Sequence, residues 1–143
     1  MRYPWLLSMV FCVSCGFLET NSGIGRGPVH FEVISSGEPL ELAQHVRVGK
    51  VTVFDFYADW CPPCKRLDKS LADLKRVHGD RLEVFKLDLV KWDSKLAQAQ
   101  QIKDLPYLVV YDDQGRLFQR GASKNVLPQL LELLSKSATS SGR

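Results

Sequence analysis

Cysteine is scarce in this chain: 143 residues carry four. That is too few for the disulfide framework of a small secreted scaffold, and a composition that is 45% hydrophobic supplies one ordinary core without staples. Histidine is scarcer still. His30, His45 and His78 are scattered, with no spacing that completes a metal site. A basic stripe is missing too, since the formal charge of +3 comes from Lys and Arg interspersed with Asp and Glu. Without aromatic and basic residues interleaved, nucleic-acid binding has no support. No apolar run reaches the roughly 18 residues of a membrane span. What remains is one α/β-sized globular domain whose cysteine spacing carries the chemistry.

The first residues read as an address. Arg2 is the sole charge before Glu19, and Trp5 to Ser14 is an apolar stretch of the length of a signal-peptide core. Cys12-Val13-Ser14-Cys15-Gly16 offers small residues at a cleavage point and resembles the lipobox of bacterial lipoproteins, with Cys15 as the residue that takes the lipid and Cys12 where leucine is usual. Residues 1–15 are therefore expected to be a leader, and residues 16–28, with their glycines and no apolar period, a flexible tether. Cys12 and Cys15 form a second C-x-x-C, but their distance from Cys61 and Cys64 is not that of a zinc ribbon. Residues 29–135 are expected to fold, and residues 136–143, small and polar, to fray.

Within that body, strand and helix signals alternate. His30 to Ser35 reads as a short strand and Pro39 to Val46 as a short helix. Val51-Thr52-Val53-Phe54-Asp55-Phe56-Tyr57 is a nearly unbroken apolar run, the pattern of a central strand buried on both faces. Leu67, Leu71, Leu74 and Val77 recur at helical spacing up to a stop at Gly79. Leu82 to Leu87 gives a strand, Ser94 to Gln101 a helix, and Tyr107 to Tyr111 with Leu117 to Arg120 a hairpin turned at Asp112-Asp113-Gln114-Gly115. Leu127, Leu130, Leu131 and Leu134 mark a closing helix. The predicted order is βαβαβαββα.

This places Trp60-Cys61-Pro62-Pro63-Cys64 at the start of the helix that follows the central strand. Cysteines at i and i+3 on a first helical turn have Cα atoms about 5 to 6 Å apart, within the window of a disulfide. Unpaired N–H groups and the positive helix end lower the pKa of the first thiol, so Cys61 is the nucleophile candidate and Cys64, one turn in, the resolving one. Both prolines fit a first turn, where a missing N–H costs nothing. Two other readings stand beside this one. The pair is a passive small-loop disulfide, which would add little stability, or it is a pair of copper or zinc ligands without partners at ligand spacing.

The run Val53 to Lys65, with Leu105-Pro106 some 40 residues later, resembles the thioredoxin superfamily, whose element order matches most of residues 29–134. That resemblance implies a thioredoxin fold, a central mixed β-sheet flanked by helices, and thiol-disulfide exchange by Cys61 and Cys64. It implies that Asp55 is the buried carboxylate that handles the proton of the resolving thiol, against a solvated edge position otherwise. Lys86 is implied to partner that acid rather than reach to solvent, and Pro106 to be a cis-proline facing the cysteines rather than an ordinary trans one. Trp60 is implied to shield the rim and Gly121 to be a loop glycine near the substrate groove, both readable otherwise as packing positions. Pro62 stands where thioredoxin has glycine and Tyr107 where it has threonine, which leaves electron flow open. The expected protein is an exported, periplasmic monomer that reduces protein disulfides with an upstream redox partner. It is tethered by lipid at Cys15 or released by simple cleavage of the leader, and it needs no organic cofactor or metal. An oxidase or isomerase of the same fold is the alternative.

Overall fold

The computed structural model describes the backbone of residues 27–140 and the side chains of residues 27–137. The expected leader, Cys12, Cys15 and most of the tether lie outside the described residues. The chain forms β1 (Glu32–Ser36), β2 (Val51–Tyr57), α1 (Pro62–His78), β3 (Leu82–Asp88), α2 (Lys95–Ala99), β4 (Tyr107–Tyr111), β5 (Leu117–Ala122) and α3 (Ser123–Ser140). The strands make one sheet in the order β1-β3-β2-β4-β5. β3 pairs in parallel with β1 and β2, whereas β4 runs antiparallel to both β2 and β5, so the sheet is mixed.

β2 is central because its run is apolar on both sides. Val51, Val53 and the α1 residues Leu67 and Leu71 share one core with Val126, Leu130 and Leu134 of α3. Phe54 and Phe56 point the other way, into a core with Phe85, Leu87, Leu96 and Val109. Each of those phenylalanines is fully buried, a contribution of about 1.5–3 kcal/mol apiece. Strand parity therefore places Asp55 on the α1 side of the sheet, and Lys86, two residues beyond Val84, beside it.

α1 ends where Gly79 takes φ 55 and its N–H reaches the Lys75 carbonyl. A side chain there would meet the left-handed penalty that glycine avoids. The β4–β5 turn is held by Asp112, whose Oδ1 accepts from the N–H groups of Gln114 and Arg116.

Four details differ from the sequence expectation. The first helix, expected over Pro39 to Val46, is a single 3-10 turn, Leu42–His45. Only Leu42 in it is buried and no side chain caps its start, so nothing repays the nucleation of a longer helix. Val77 continues the helical period of α1 yet is exposed. α3 spans Ser123–Ser140 and so runs past the expected domain limit at Ser135. Lys136 pairs with Glu132 one turn back, which supports the extension. Gly121 lies inside β5 opposite Leu108, not in a loop. Among the described residues, no helix is long and apolar enough to cross a membrane.

Candidate active site

Cys61 is the N-cap of α1, with extended backbone, and Pro62, Pro63 and Cys64 are its first three helical residues. Cys61 and Cys64 are joined as a disulfide across a Cα–Cα distance of 5.4 Å. The pair is nearly sealed: Cys61 keeps 5% of its surface and Cys64 1%, packed with Ala58, Tyr57 and Leu105. A helix start ordinarily turns several free N–H groups towards the residue at this position. The prolines reduce them to one, since Pro62 and Pro63 have no N–H to give and only the Cys64 amide reaches Cys61 Sγ, at 3.3 Å. The helix dipole and that single donor favour the thiolate of Cys61 once the disulfide opens.

The Leu105–Pro106 peptide bond is cis. Pro106 and Leu105 line a groove of about 410 Å³ together with Pro63, Arg66, Ala122 and Lys124, so the loop before β4, the start of α1 and the start of α3 meet beside the disulfide. Gly121 precedes Ala122 at this edge, and a Cβ on it would lie 3.6 Å from Val126. Trp60 forms the opposite rim. It is 48% exposed, its indole N–H donates to the Val90 carbonyl at 2.9 Å, and its ring lies 5.3 Å from that of Trp92.

Behind the cysteines, on the α1 face of β2, lies Asp55 with no exposed surface. Neither carboxylate oxygen has a hydrogen-bond partner among the described residues. The nearest cation is Lys86 Nζ at 3.5 Å, too long for a good hydrogen bond. Burial pushes the Asp55 carboxyl up to about 7; Lys86 opposes that rise and Asp68 adds to it. A group held there takes or gives a proton at neutral pH. Lys86 itself is hydrogen-bonded to Asp68 Oδ1 and lies over the Tyr57 ring, 4.0 Å from its centroid. The Tyr57 hydroxyl is pushed up to about 12, by burial first and then by Asp88, Asp59, Asp68 and Asp55, so it stays protonated.

The structure thus brings Asp55, Trp60, Cys61, Cys64, Lys86 and Pro106 to one end of β2 and its neighbours. Sequence reasoning missed Asp68, Tyr57, Val90 and Trp92. Asp68 carried a signal that could have found it: it is four residues after Cys64, one turn further along the same helix face. Among the described residues, no group of three or more His, Cys, Asp or Glu gathers as a metal site.

Comparison with known proteins agrees with this geometry. Thioredoxin-1 of Drosophila melanogaster is 30% identical over 89 residues, which span 62% of this chain and 82% of that protein. A thiol:disulfide interchange protein, the TxlA homolog of Synechocystis, is 28% identical over 102 residues, 70% of this chain and 54% of its own length. Among solved structures, the thioredoxin Mala s 13 of Malassezia sympodialis superposes with a TM-score of 0.54 at 25% identity, covering 73% of this chain and 91% of that one. The thioredoxin family profile matches residues 38–134. With a C-x-x-C disulfide at the start of α1, a mixed five-stranded sheet and a profile match over most of its length, the chain belongs to the thioredoxin family.

Proposed function

We propose that this thiol-disulfide oxidoreductase works as a reductant of protein disulfides in the bacterial cell envelope, exported by its leader and anchored through a lipid on Cys15. The observation that carries the dithiol-exchange reading is the buried carboxylate of Asp55, on the sheet face that α1 covers and beside Lys86, where it can take up or release a proton.

In the reduced protein, the Cys61 thiolate attacks one sulfur of a substrate disulfide. A mixed disulfide forms and the other substrate sulfur leaves as a thiolate. Asp55 accepts the proton of the Cys64 thiol, and the Cys64 thiolate attacks Cys61 Sγ. The bond to the substrate breaks, the second substrate sulfur leaves, and the protein is left with the Cys61–Cys64 disulfide. Two electrons have passed to the substrate, and an upstream dithiol protein must return them. The groove beside Pro106 gives an extended substrate segment its place, and Trp60 covers the other side.

Catalysed reduction of insulin disulfides by dithiothreitol tests this reading, with the rate lost in Cys61→Ser. Unchanged turnover in that variant would rule it out. Cys64→Ser, lacking the resolving thiol, should retain substrates as mixed disulfides and so reveal the partners. A glutathione-equilibrated potential near the oxidising end would instead select the oxidase or isomerase direction.

A further inference from the structure

Lys86 does not belong to Asp55 alone. Its ammonium has three N–H groups. One goes to Asp68 Oδ1 on α1, and Asp55 Oδ2 on β2 is left at 3.5 Å. The lysine reaches this point nearly buried, 8% exposed, with its charge against the Tyr57 ring, so it has little freedom to serve both carboxylates at full strength. The two acids differ in their need. Asp55 is sealed from water and both its oxygens lack a hydrogen bond, whereas the Asp68 side chain keeps 39% of its surface and has water as well as Lys86. On desolvation alone, the lysine would be drawn to the buried acid. It bridges the two, with its hydrogen bond on the exposed acid and the looser contact, at 3.5 Å, on the buried one.

We infer that Asp68 is a positioning residue for disulfide exchange: by holding Lys86 on the α1 side, it withholds a full ion pair from Asp55 and keeps that carboxyl able to carry the proton of Cys64. The inference rests on the proposed role of Asp55 in resolution and adds to it the device that sets its proton affinity. Asp68 acts in two ways with the same sign. It diverts the cation, and its own negative charge opposes ionisation of Asp55. The charged and titratable groups around Asp55 are Lys86 from β3, Asp68 and, one turn earlier, Cys64 from α1, and Tyr57 from β2. On the other sides, Leu108 of β4 and Val126, Leu130 and Leu134 of α3 are apolar. Asp59 and Asp88 act on Tyr57, over whose ring Lys86 lies, but among the described residues the ion pairs of the lysine are with Asp55 and Asp68, so Asp68 is the acid that competes for it.

The test is the titration of the Asp55 carboxyl carbon by NMR in the intact oxidised protein, for the wild type and Asp68→Asn. Freed from Asp68, Lys86 should close on Asp55, and the midpoint should move to lower pH by about one unit or more. The acid limb of the pH profile for insulin reduction should move with it. Asp68→Glu should restore most of the wild-type midpoint. In a Lys86→Met background, the effect of Asp68→Asn should shrink at least about threefold, because the cation it diverts is gone. An Asp55 midpoint that stays put or rises in Asp68→Asn would overturn the inference, as would a shift equally large without Lys86. The midpoint is measured without turnover. A wild type that fails to reduce insulin would therefore sink the functional reading and leave this result legible on its own.

Discussion

Trp60 is tied to Val90: the indole N–H donates 2.9 Å to the Val90 carbonyl, across the end of the sheet from the disulfide. To present that carbonyl, Val90 takes φ 63, a left-handed conformation in which a β-branched residue is strained. Its side chain is half-exposed and contributes little burial in return. Val90→Asn should therefore keep the carbonyl in place, relieve the strain and stabilise the protein by about 1 kcal/mol. A urea-unfolding midpoint that falls instead would show that the Val90 side chain supports the loop through packing.

Asp55 makes stability depend on pH in a definite direction. Its folded-state pKa of about 7 is above the ordinary 3.8, so the native protein holds the proton more tightly than the unfolded chain. Stability contributed by this group is greatest below about pH 4, declines as pH rises towards 7 and is lowest above that, a span on the order of 4 kcal/mol. Asp55→Asn should flatten this slope and make the protein more stable at pH 8, by about 1–3 kcal/mol after the cost of burying an amide. It should also slow disulfide reduction at neutral pH by on the order of tenfold or more. Urea titrations between pH 4 and 8 and an insulin assay measure both effects. An unchanged pH slope would mean that Asp55 carries no raised pKa.

The prolines of the C-x-x-C leave Cys61 Sγ with one backbone donor. Pro63 is the second helical residue, and the N–H of that position is one of the two that an N-cap side chain can accept. Pro63→Ala supplies it. The Cys61 pKa should fall by about half a unit, and the potential should become more oxidising because the reduced form gains the bond. The pH dependence of alkylation by iodoacetamide reports the thiolate directly, and a pKa that stays or rises would count against donor number as the controlling factor.

The leader has its own check. Expressed in a bacterial host with its N-terminus intact, the protein should mature to a chain beginning at Cys15 with added acyl mass, as seen by intact-mass spectrometry. A mature chain that still begins at Met1 would remove both the export and the anchoring proposals.

β2 was readable because every position from Val51 to Phe56 is buried, so the run needs no alternation to be recognised. The hairpin was readable because Asp112 and Gly115 announce their turn chemically. Periodicity was less reliable at element ends. Leu131 stands next to the buried stripe of Val126, Leu130 and Leu134 on α3 and is half-exposed, and Val77, near the end of α1, is exposed as well. The 3-10 turn at Leu42–His45 has one buried side chain, too little for composition to distinguish it from a helix. In the site, Cys61, Cys64, Asp55, Lys86 and Pro106 could be named through the resemblance. Asp68 had only its spacing of four from Cys64 to point to it, and a charged residue beside Leu67 on an amphipathic helix looks like ordinary solvent-facing surface. Its pairing with Lys86 is created only when α1 docks on β3, a contact between positions 18 residues apart.

The strand order has a mechanical consequence. β1 is at the edge of the sheet, joined to β3 alone and with a register shift between Val33 and Ser35, whereas the cysteines, Asp55 and Pro106 belong to β2, β4 and the segments at their ends. A pull on the N-terminal side of the chain therefore loads β1 first. The edge strand can yield as a fuse while the redox pair, at the end of β2 two strands further in, keeps its geometry.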